Sequence, residues 1–64
     1  MIRVNGMEDE FWDEDVASLL RRRNIETRGI AVAVDGEVVA RSDWSATRVR
    51  DGALVEIVTA AAGG

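Results

Sequence analysis

The stretch Gly29-Ile30-Ala31-Val32-Ala33-Val34-Asp35-Gly36-Glu37-Val38-Val39-Ala40-Arg41 decides the architecture of this 64-residue chain. Ile30, Val32 and Val34 alternate with the small Ala31 and Ala33, the period of a strand with one face buried. Asp35-Gly36 follows, a pair that accepts positive φ at little cost and closes a two-residue hairpin. Residues 37–41 then form the second arm. A hairpin cannot bury its apolar face alone, so the flanking sequence must supply the cover.

On the C-terminal side, Ser42-Asp43-Trp44-Ser45-Ala46 is polar around a single indole. It reads as a short helical turn that docks Trp44 on the core, since a lone Trp among short strands is more often a core plug than a binding aromatic. Asp51-Gly52 is another turn pair. Leu54-Val55-Glu56-Ile57-Val58-Thr59 is the last strand, with Val55 and Ile57 on one face and Leu54, Glu56 and Val58 on the other. On the N-terminal side, Asp13, Glu14 and Asp15 precede Val16, Leu19 and Leu20, an apolar stripe at i, i+3, i+4. Asp13 or Asp15 caps this helix, Arg21-Arg22-Arg23 complements its negative end, and Asn24 serves as a left-handed cap. Ile2-Arg3-Val4 alternates, Asn5-Gly6 turns, and residues 7–11 return as a strand that Asp9 shortens or distorts.

The order is strand, strand, helix, strand, strand, strand. The economical arrangement is an α+β domain: a five-stranded mixed sheet packed on one main helix, with the first and last strands parallel at its centre. That layout is the β-grasp, or ubiquitin-like, fold. It assigns residues 1–59 to the domain and 60–64 to a flexible C-terminal tail.

Composition narrows the function. There is no Cys and no His, so disulfides, zinc fingers, and thiol or imidazole catalysis are excluded. The apolar share of 47% against 31% charged is that of a globular chain. A net charge of −4 argues against nucleic acid or an anionic membrane as partner. The longest apolar run is Ile30-Ala31-Val32-Ala33-Val34, too short to cross a bilayer, and the N-terminus lacks the apolar stretch of a signal peptide. A cytoplasmic location is the expectation. All eight positive charges are Arg; codon usage is the bland reading, and the chemical consequence is that the chain's only primary amine is its N-terminus.

Ser18, Ser42 and Ser45 have neither imidazole nor Lys to activate them, and no Gly-x-x-x-x-Gly-Lys loop exists. These features point away from an enzyme acting alone. Glu8, Asp9, Glu10, Asp13, Glu14 and Asp15 form the densest charge. Their spacing departs from the Asp-x-Asp-x-Asp-Gly calcium loop, and Phe11-Trp12 interrupts them. A solvated hairpin and helix start is the favoured reading, with a docking face for a basic partner beside it. Trp12 is either part of the core or an exposed contact.

The sequence closes on Gly63-Gly64. Residues 60–64 extend about 17 Å at most and carry no side-chain bulk. Such a segment can thread a narrow channel and present an α-carboxylate to another protein's active site. Glycine lets backbone approach catalytic groups closely.

These residues together resemble the bacterial ThiS family, the sulfur carriers of thiamine biosynthesis. The resemblance rests on Val4-Asn5-Gly6, the helix around Val16, Leu19 and Leu20, the stretch from Gly29 to Gly36, Val38-Val39-Ala40-Arg41-Ser42-Asp43-Trp44, Asp51-Gly52 and Gly63-Gly64. It implies a carrier and not an enzyme. A ThiF-like adenylating enzyme would use ATP and Mg²⁺ to convert the Gly64 carboxylate into an acyl adenylate, with no cofactor bound by this chain. Sulfur from a donor such as a cysteine desulfurase would then give a thiocarboxylate. A ThiG-like thiazole synthase would take up that sulfur. Gly63 and Ala62 would give access to the terminus, and Leu54 and Val58 are the candidates for docking. A MoaD-like carrier for molybdopterin, a carrier for another thiolated product, and a ubiquitin-like interaction module with an inert tail stand as alternatives. One departure is the run Ala60-Ala61-Ala62, where the family often places a bulky apolar residue.

Overall fold

A computed structural model describes residues 1–59. Strand β1, Ile2–Val4, is followed by β2, Met7–Asp9, then by a two-residue strand β3, Glu14–Asp15, and helix α1, Val16–Arg22. Next come β4, Ile30–Val34, and β5, Glu37–Val39, a 3-10 turn at Arg41–Ala46, a two-residue strand β6, Arg48–Val49, and β7, Leu54–Thr59.

Both tight hairpin turns have the backbone that their sequence demands. Asn5 and Gly6 lie at φ 52° and 83°, Asp35 and Gly36 at 52° and 86°, so each pair is left-handed at both positions. That geometry matches the twist of the flanking strands. The second turn sets the register, with Val34 opposite Glu37, Ala33 opposite Val38 and Val32 opposite Val39. The five-stranded sheet runs in the order β2-β1-β7-β4-β5. β7 lies at its centre, parallel to β1 and antiparallel to β4.

Helix α1 carries the predicted signals. Asp15 caps it, accepting a hydrogen bond from Ser18 N at 2.7 Å. Its last turn ends in a Schellman motif: Ile25 N donates to Leu20 O and Asn24 N to Arg21 O, with Asn24 left-handed at φ 56°. The helix lays Val16, Leu19 and Leu20 on Ile2, Val4, Val32 and Val55 of the sheet, with Trp44, Val49 and Ala53 completing the buried cluster. Leu19 and Leu20 are fully buried, and truncating either to Ala would cost about 2–5 kcal/mol. Trp44 is buried as predicted, its Nε1 donating to Val39 O at 3.1 Å and Arg41 lying over its ring at 4.6 Å.

Three details differ from the sequence reading. The return strand stops at Asp9 and leaves Phe11 exposed. The second arm of the central hairpin stops at Val39, because the 3-10 turn begins at Arg41. Strands β3 and β6 pair antiparallel as a separate two-stranded sheet, Glu14 opposite Val49 and Asp15 opposite Arg48. Two-residue strands have no periodicity to read. This pairing positions the helix start, since Val16 N also donates to Thr47 O.

Candidate functional site

The sheet has one face under the helix and one open. On the open face, Leu54 and Val58 are 52% and 57% exposed, as the strand alternation predicts. Val38 joins them at 77%. Register brings these residues together. Val58 is opposite Ala31, and Ala33 lies between Glu56 on one side and Val38 on the other. The two alanines remove side-chain bulk and leave a shallow depression of about 230 Å³ walled by Val38, Glu56 and Val58. Leu54 stands apart from it, four residues back along β7 and beside a second depression lined by Arg3, Asp35 and Glu56. The patch is therefore two apolar spots separated by the Glu56 carboxylate.

β7 is fixed by more than its neighbours' backbones. At its far end, where β1 has already turned away, the side-chain amide of Asn5 continues the ladder. Its Nδ2 donates to Ile57 O at 3.1 Å, and Ile57 N donates to its Oδ1 at 2.7 Å. At the near end Asp35 does the same job from β4's side, accepting from Leu54 N at 2.9 Å and donating its own N–H to Leu54 O at 2.8 Å. The leading residue of each hairpin turn thus braces the strand that carries Leu54 and Val58. Sequence reasoning assigned Asn5 and Asp35 to turns alone and did not find this role. Val38 was not among the docking candidates either, although a two-residue turn at Asp35-Gly36 places it opposite Ala33.

Ala62, Gly63 and Gly64 lie outside the described residues. The last described residue, Thr59, pairs with Ile30, so the chain leaves β7 at the end marked by the Asn5-Gly6 turn.

The acidic run is held mainly by arginines. Arg22 reaches back from the helix to Glu14 at 2.8 Å and to Asp9 at 3.6 Å, and lies over the Trp12 ring at 5.5 Å. Arg23 pairs with Asp9 at 2.6 Å, and Arg48 with Asp13. The backbone N–H of Glu10 and then the Arg23 guanidinium hold the Asp9 carboxyl below its ordinary range. Asp15 is lowered chiefly by the Ser18 N–H of the cap. Hydrogen bonding to Glu14 raises Arg22 further. Trp12 is half exposed at the edge of this network and outside the core. Among the described residues no three acidic side chains converge on a metal-sized site, and no helix is long and apolar enough to cross a membrane.

A central β7 parallel to β1, a single helix across one face and an open second face define a domain of the β-grasp class. The sequence matches the ThiS family over residues 2–64. The crystal structure of the thiamine biosynthesis protein ThiS from Geobacter metallireducens superposes with a TM-score of 0.77 at 31% identity, covering 89% of this chain and 88% of that one. A solution NMR structure of a thiamine biosynthesis protein from the same organism gives 0.71, also at 31% identity, over 89% of this chain and 78% of the other. No curated protein matched. The chain belongs to the ThiS family.

Proposed function

We propose that this chain is a sulfur carrier of thiamine biosynthesis and is a co-substrate, not an enzyme. The observation that carries the reading is that the family match runs through the final Gly63-Gly64. A carboxylate is a poor acyl donor until one oxygen becomes part of a leaving group. A ThiF-like adenylating enzyme, holding ATP and Mg²⁺ in its own site, supplies that by joining the Gly64 carboxylate to AMP with loss of pyrophosphate. A sulfur nucleophile, delivered from a donor such as a cysteine desulfurase, displaces AMP and leaves a thiocarboxylate. A ThiG-like thiazole synthase then takes the sulfur.

In this reading the chain's contribution is presentation. Gly63 and Ala62 let the terminus enter a narrow channel. Val58 and Leu54, extended by Val38, dock the open face on the partner. The braces from Asn5 and Asp35 hold β7 still, so docking on its outer face also places the root of the tail.

Intact mass is the test. The protein is incubated with ATP, Mg²⁺, a ThiF-like enzyme and sulfide. The expected result is a gain matching one sulfur for one oxygen, abolished when Gly64 is deleted. No gain with any cognate adenylating enzyme overturns the carrier reading in favour of an interaction module.

A further inference from the structure

We propose that the lysine-free surface of this chain leaves the carrier with no side chain able to capture its own activated terminus; the inference rests on the carrier reading above. An acyl adenylate at Gly64 is open to any unprotonated amine or thiolate. The sequence offers neither as a side chain: there is no Lys, Cys, His or Tyr among its 64 residues. Its hydroxyls belong to Ser and Thr, which are weak nucleophiles without an adjacent base.

Structural need explains only some of the arginines. Arg22 bridges two acids and covers Trp12, and Arg41 stacks on Trp44 while donating to Thr27 O, tasks suited to a planar guanidinium. Arg28 does nothing of the kind. It is almost fully exposed, 3.7 Å from an exposed Glu26. Arg50 is exposed, with no ion pair among the described residues. A lysine would serve at either position as far as folding is concerned.

Their placement relative to the tail differs. Arg28 borders the groove that contains Ile30 and Thr59, at the root of the tail. Arg50 lies at the other end of the sheet, where Gly52 N donates to Met1 O. The Met1 amine is there too, paired with Asp51 at 2.6 Å. Because Arg3 is level with Leu54 in a parallel pair, Met1 and Thr59 are seven residue steps apart, about 23 Å at roughly 3.3 Å each. The five residues beyond Thr59 span about 17 Å at full extension. The terminus cannot return to that amine within one chain.

An amine placed at position 28 removes the protection. Its Nζ lone pair attacks the Gly64 carbonyl carbon, and the bond from that carbon to the adenylate oxygen breaks. AMP leaves with the bonding pair, one amine proton passes to solvent, and an amide closes a ring.

The experiment uses the wild-type chain, Arg28→Lys, Arg28→Gln and Arg50→Lys with ATP, Mg²⁺ and a ThiF-like enzyme, without sulfide. Pyrophosphate release reports activation and intact mass reports the product. The expected result is activation of all four chains, with only Arg28→Lys becoming a monomer lighter by one water, its new bond mapped to residue 28. Self-adducts of the wild type overturn the proposal. So does an Arg28→Lys chain that is activated yet stays linear, which would place the protection in the partner's site. A lactam monomer from Arg50→Lys overturns the reach argument. Absence of pyrophosphate from every chain removes the carrier reading and this inference with it.

Discussion

The side-chain amide of Asn5 pairs with the backbone of Ile57 on both its N–H and its C=O, standing in for a strand residue that β1 is too short to supply. Asn also tolerates the left-handed conformation of the turn, so one residue meets two requirements. Asn5→Gly keeps the turn and removes the brace. The expected cost is about 1 kcal/mol in chemical denaturation, with faster hydrogen exchange at the Ile57 amide than at Val55. Unchanged exchange at Ile57 would show that the brace adds nothing.

The indole of Trp44 fills the core and satisfies the Val39 carbonyl. Trp44→Phe retains most of the volume but gives up the indole hydrogen bond. A loss of about 1–2 kcal/mol is expected. Trp44→Ala opens a cavity as well, and the larger cost of about 3–5 kcal/mol approaches the whole stability of a domain this size. Urea melts followed by circular dichroism separate the two; wild-type stability in Trp44→Phe would mean the N–H is irrelevant.

Acid should destabilise the fold in a defined window. Asp9 and Asp15 both have folded pKa values below the ordinary 3.8. A depressed carboxylate contributes stability that is present above its unfolded pKa and disappears as pH falls through the folded one. With no His in the chain, Tm should be flat from about pH 8 to 5 and decline below about pH 4. Asp15→Asn keeps the cap but removes the titration, since Asn caps as well as Asp. It should leave the neutral Tm nearly unchanged and shrink the acid decline. A Tm that falls between pH 7 and 5 would contradict this account.

The open face predicts a difference between its two apolar spots. Val58→Asp and Val38→Asp flank the same depression, and each should weaken capture by a ThiF-like enzyme at least tenfold, with the melt unchanged. Leu54→Asp lies on the other side of Glu56 and should act independently, so that the Leu54/Val58 double variant loses the product of the two factors. Surface plasmon resonance with the immobilised enzyme reads all of these. Wild-type affinity in the double variant would remove the open face from the interface.

Much of the fold could be read residue by residue because the local signals agree. Ile30, Val32 and Val34 alternate, Asp35-Gly36 turns, and the helix starts at one of the acids Asp13 and Asp15 and stops at Asn24. Each of these choices acts within a few residues of itself. What escaped depended on distance in the chain. Nothing near Asn5 announces Ile57, and nothing near Glu14 announces Val49. The acidic run looked like a solvated face because the arginines that hold Asp9 and Glu14 arrive only when the helix folds back beside them. Leu54 and Val58 were legible from strand parity alone. The Glu56 carboxylate that divides them was also in the sequence, but its effect on the patch needed the register with Ala33.

The parallel pairing of β1 and β7 also has a mechanical meaning. Tension drawn through the C-terminal end of β7 and resisted at Met1 pulls the two central strands past each other along their length. Their hydrogen bonds lie across that direction and bear the load together, where a peeled hairpin would lose them one at a time. The Asn5 amide adds two more bonds in the same orientation, close to where the force enters. A partner that grips this chain by its terminus is therefore holding a tether anchored at the centre of the sheet, and can tug on it without unzipping the domain.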